Sequence, residues 1–84
     1  MNLNKEHLEN AISELEKWAV MSTIELIKIP VFKKRIEDEI KNCKDEKRVI
    51  ELQKTLEMSE TNKKGHIESL ENLEEILKEV YKLR

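Results

Sequence analysis

Glycine, proline and cysteine each occur once in the 84 residues, and Trp18, Phe32 and Tyr81 are the only aromatics. Each scarcity removes a class of architecture. Sheets linked by tight turns draw on glycine and proline at the turns and on aromatic and β-branched residues in the strands, so the composition argues against them. Cys43 has no partner for an intramolecular disulfide, and a Cys-rich metal site is out of reach. A reducing, cytoplasmic setting is the expectation that follows. Charge of one sign is lacking too: sixteen basic and eighteen acidic residues leave a net charge of −2. No global field draws the chain to nucleic acid or to an anionic membrane, and three dispersed aromatics build no surface on which bases stack.

Long hydrophobic runs are also missing. The most apolar stretch, VMSTIELIKIPVF at 20–32, is interrupted by Glu25, Lys28 and Pro30 and is shorter than the ~20 residues a bilayer span requires. The opening residues, Met-Asn-Leu-Asn-Lys-Glu, contain no basic region followed by an apolar run, so no signal peptide is expected.

What is abundant is Glu, Lys and Leu, with 40% of residues charged, the composition of long helices. The expected fold is all-α, a single domain over 1–84. Its length is near the lower limit at which one chain buries enough surface to fold alone, so self-association or a partner is expected. Asn4 is a suitable N-cap for a first helix, with Glu6 and Glu9 near the positive end of its dipole. Leu8, Ile12, Leu15, Ala19, Ser22, Leu26 and Ile29 then follow alternating four- and three-residue steps and draw one apolar stripe. Ser22 and Glu25 match a capping box, with Met21 and Leu26 as its staple, which predicts a break near residue 21.

Pro30 lacks a backbone donor and biases Ile29 away from helix, so a second helix is expected to begin there, carrying Phe32, Ile36, Ile40 and Cys43 and later Val49, Leu52 and Leu56. The run Lys44-Asp45-Glu46-Lys47-Arg48 between these groups reads as a stutter that a continuous helix absorbs. Residues 59–65 have no apolar member and end on Gly65, so a bend is expected there, before a third helix with Ile67, Leu70, Leu73, Leu77 and Val80. The prediction is a small bundle of three main helices with a helical hairpin, completed by oligomerisation. Two alternatives stay open: Pro30 as a kink in one rod, and residues 45–84 as one coiled-coil helix, because Val49, Leu52, Leu56, Ser59, Lys63, His66, Leu70, Leu73, Leu77 and Val80 keep an unbroken heptad frame.

Catalysis is not expected. His7 and His66 have no Cys or second His at ligand spacing, and Glu71, Glu74, Glu75 and Glu79 form a solvated helix face with no cleft to split their ionisation. No metal or cofactor is expected. Lys33, Lys34 and Arg35 are followed at four-residue spacing by Glu37, Asp38 and Glu39, which neutralise them along the helix.

The stretch at 20–36 is the main functional lead. In a three-helix arrangement the last helix is too short to cover the corner where the first two meet. Apolar side chains spread around more than one helical face are left there without a layer to bury them. The expected function is protein binding, by a small regulator, inhibitor or adaptor acting as a homo-oligomer or on a partner protein, through Met21, Ile24, Ile27, Ile29 and Phe32. The alternative is a small-ligand or nucleotide-binding oligomer in which Lys63, Lys64 and His66 meet an anion near a helix N-terminus.

Overall fold

The computed structural model describes residues 4–84. Met1, Asn2 and Leu3, part of the stretch expected to lack a leader, lie outside the described residues. Two α-helices account for almost all of the chain: α1, Lys5–Asn42, and α2, Glu46–Tyr81. They lie antiparallel in a rod of 63 × 15 × 14 Å. The three-helix expectation is therefore corrected to a long helical hairpin.

Both ends of the three-residue connection are defined by local chemistry. α1 stops at Cys43, whose extended backbone (ψ 131°) leaves the helix while its N–H still donates to the Ile40 carbonyl at 3.2 Å. The Asn42 amide folds back onto the Asp38 carbonyl at 3.0 Å. α2 starts from Asp45, an N-cap whose carboxylate accepts from the Lys47 N–H at 3.1 Å, with Glu46 at the positive end of the dipole. The charged run at 44–48 is thus the turn and a helix start, and not a stutter. At the chain's beginning Asn4 caps α1, accepting from the Glu6 N–H at 2.8 Å.

Three expected breaks are absent. At Pro30 the helix loses one backbone donor, yet Ile29 and Ile36 are seven residues apart on the same face, so the inward stripe passes straight through. No end forms at Ser22 either: Glu25 pairs with Lys28 at 3.3 Å instead of reaching back to cap, and the Thr23 hydroxyl donates to the Ala19 carbonyl. Residues 59–65 lie inside α2, with Gly65 helical. An exposed glycine in a helix interior costs only about 1 kcal/mol against alanine, less than the packing forfeited when a long paired helix is broken in two.

The core is one seam. From α1 it takes Leu8, Ile12, Leu15, Ala19, Ser22, Leu26, Ile29, Ile36 and Ile40, and from α2 the heptad frame Val49 to Val80. Leu8, Ile12, Ile36, Leu52, Leu73 and Leu77 are buried, Ile12 at 1% exposure. Lys33, which falls in the frame between Ile29 and Ile36, reaches across to Glu60 at 3.4 Å. Two further ties hold the ends in register: Arg48 to Glu39 at 3.0 Å beside the turn, and Arg84 to both carboxylate oxygens of Glu9, at 3.2 and 3.0 Å, at the open end. The guanidinium of Arg84 holds the Glu9 carboxyl below the usual carboxylate range, chiefly through that hydrogen bond.

Candidate functional site

A helix paired with one neighbour buries one stripe, and the rest of its surface faces water unless something else covers it. Over most of α1 that outer surface is charged, as in 33–41. Residues 18–32 are different. Val20, Ile24, Ile27 and Val31 follow four-, three- and four-residue steps, which at about 100° per residue places them on one line roughly opposite the inward seam. All four are exposed, Ile27 at 66%. Met21, 63% exposed, lies beside this line. The middle of α1 therefore carries two heptad-spaced apolar stripes, one facing α2 and one facing outward.

The outer stripe continues into a groove along one side of the hairpin. This groove, of about 660 Å³, is open to solvent and lined by Glu25, Ile27, Lys28, Ile29, Val31, Phe32 and Arg35 of α1 and by Thr55, Met58, Ser59, Asn62 and His66 of α2. Phe32 and Met58 are both exposed there. The apolar surface thus wraps from the back of α1 around its side to the edge of α2.

Of the five residues predicted to form an interface, Met21, Ile24, Ile27 and Phe32 are exposed, and Ile29 is half-buried where seam and groove meet. The reason differs from the one expected. Helices of 38 and 36 residues cover each other along their full length, so no third helix falls short of a corner. The stretch is exposed because a hairpin offers α1 a single neighbour. Spacing alone could have revealed the outer stripe; reading Pro30 as an end obscures it, because that separates Val31 from Val20, Ile24 and Ile27.

Lys63 and Lys64 stand exposed in the interior of α2, and half-buried His66 lines the groove. The helix N-terminus that an anion site at 63–66 drew on is not there, because α2 runs from Glu46 to Tyr81 without interruption. Among the described residues no three His, Cys, Asp or Glu side chains are placed to share a metal ion, and no helix is long and apolar enough to cross a membrane.

No family model matches the sequence, and no curated protein or solved structure is significantly similar to it. What the geometry offers is an exposed apolar surface on a helical scaffold, with charged side chains at its rim: Lys17, Lys28, Lys34 and Arg35 on one hand, Glu14 and Glu16 on the other.

Proposed function

We propose that this chain is a non-enzymatic protein-binding module that works through the apolar surface of α1 between residues 20 and 32. One observation carries the reading. The accessible surface is 7034 Å², whereas a compact monomer of 10.0 kDa exposes about 5,200 Å², leaving an excess of about 1,800 Å². Part of that excess is large aliphatic and aromatic side chain on the middle of α1, and contiguous apolar patches of this kind on soluble chains mark interaction sites. A stable protein interface needs about 800 Å² from each partner, less than half of the excess. A helical face of this kind suits a partner helix laid alongside, read through anchors spaced three and four residues apart.

The test is capture by the tagged full chain, with the Ile24→Glu/Ile27→Glu double variant as control and with an untagged copy of the chain included among the possible prey. The reading expects at least one protein, the chain itself or another, that is retained by the parent and lost by the variant, while circular dichroism reports unchanged helix content. Identical retention by parent and variant, or retention of nothing by either, rejects it.

A further inference from the structure

Within the protein-binding reading just given, we infer that the occupant of the outer stripe is a second copy of this chain, with the two α1 helices antiparallel about a two-fold axis between residues 25 and 26. The stripe is its own complement under that operation. A two-fold at this point brings residue positions that sum to 51 level with one another, so Ile24 meets Ile27 of the second copy and Val20 meets Val31. Four layers of β-branched aliphatics result, without a charge among them. Closed two-fold contacts of this isologous kind are the commonest way in which identical chains associate.

The rim supports the same register. Glu16 comes one position from being level with Lys34 of the second copy, which is in line with the stripe, and Glu14 lies two positions from being level with Arg35 on the flank that the two share; symmetry repeats each approach. The apolar layers end where Lys17 meets Lys34, two long side chains that turn their ammonium groups out to water and to these acids, which stops the seam at a defined length. Contact over residues 16–35 extends for about 30 Å of helix. A parallel pairing would instead place Glu16 beside Met21 of the second copy and Arg35 beside its Pro30, leaving both without an opposite charge across the seam, and is disfavoured on that ground. The interior is also thinner at this place, since Ala19 and Ser22 of α1 and Ser59 and His66 of α2 occupy seam positions beside the half-buried Leu26 and Ile29 and bury little apolar surface.

Three measurements on the full chain test this. Light scattering over a hundredfold concentration range should give a dimer, and Ile27→Glu should weaken it at least tenfold, whereas Met58→Glu, on the groove side of α2, should leave it within about twofold. Spin labels placed in a Cys43→Ser background should separate by about 46 Å for Asn10→Cys and, along the helix axis, by only about 8 Å for Lys28→Cys, at 1.5 Å per residue on each side of the two-fold. Short distances at both sites would mean a parallel pairing and overturn the inference. A dimer lost on Met58→Glu, whether or not Ile27→Glu weakens it too, would place the contact in the groove that both residues line and overturn it as well. A chain that is monomeric throughout the range, yet captures a different protein in a manner sensitive to Ile24→Glu/Ile27→Glu, would overturn the second copy while leaving the protein-binding reading intact.

Discussion

At the open end of the hairpin Leu8 and Ile12 of α1 and Leu73 and Leu77 of α2 are buried, and towards the turn Ile36 and Leu52 are. The middle third places Ala19, Ser22, Ser59 and His66 along the seam, with Leu26 and Ile29 only half-buried beside them. The outer surface shows the reverse. It is charged beside the turn, where Glu37, Asp38 and Lys41 face solvent, and apolar in the middle, where Val20, Ile24, Ile27 and Val31 do. Helix-weakening residues follow the same division, since Pro30 and Gly65 both lie in the central part of their helices. The ends are thus self-sufficient, held by aliphatic layers and by the Glu9–Arg84 and Glu39–Arg48 pairs. The middle has a thinner inner seam, with Leu26 and Ile29 half-buried, and a second apolar stripe on the outside. Such a division is what the proposed function asks for, ends that fix the register and a middle free to meet a partner.

Four substitutions sharpen or break this contrast. The largest effect is expected at Ile12, where Ile12→Ala removes most of a fully buried side chain and costs about 2–5 kcal/mol, a large part of what a domain of this size has. Ile27→Ala, the same chemistry on the outer stripe, should cost no more than about 0.5 kcal/mol in solutions dilute enough to be monomeric. Urea unfolding followed by circular dichroism compares the two directly, and equal losses would mean that inside and outside have been assigned wrongly. Next comes Pro30→Ala, which restores a donor to the Leu26 carbonyl and should stabilise α1 by up to about 3 kcal/mol. A fall in Tm would instead show that the proline ring shapes the middle of α1. Gly65→Ala should add about 1 kcal/mol, because a methyl group there meets no atom within 4 Å. Thermal melts read this as a small rise in Tm.

The smallest effect concerns pH. The Glu9 carboxyl is held below its usual range by Arg84, so the folded state favours the ionised form. That contribution is complete above the unfolded value of about 4.3 and is lost as pH falls through the lowered folded value. Both side chains are about half in solvent, so salt screens the pair. In low salt the parent should be slightly more stable than Glu9→Gln near neutral pH and indistinguishable from it once the carboxylate is protonated; a difference that persists in acid would point to packing at the open end instead.

Much of the architecture is legible in the stripes. The inward face of α1 from Leu8 to Ile29, the heptad frame from Val49 to Val80 and the Asn4 cap are all present in the sequence at the positions the structure uses. The misreadings cluster at three local signals. Pro30, Gly65 and the capping-box match at Ser22 each suggest a break when taken singly. An interior proline costs about 3 kcal/mol and a glycine about 1 kcal/mol, sums that a seam running the length of a 63 Å rod outweighs. The true turn is hard to read for the opposite reason: Asp45 followed by Glu46 is a helix start, but it sits within five successive charges that resemble a mere interruption of the stripe.

The sequence by itself determined that the chain is helical, that it carries these heptad frames, and that its greasiest segment is residues 20–32, because composition and periodicity are local properties that any helix displays along its length. Tertiary structure decided where the chain reverses and which of the two stripes on α1 faces inward. Both depend on what α2 offers when it folds back: pairing Leu8 to Ile40 with Val49 to Val80 buries a layer at each end of the rod, whereas turning Val20, Ile24, Ile27 and Val31 inward would strand Leu8, Ile12 and Ile36 in water.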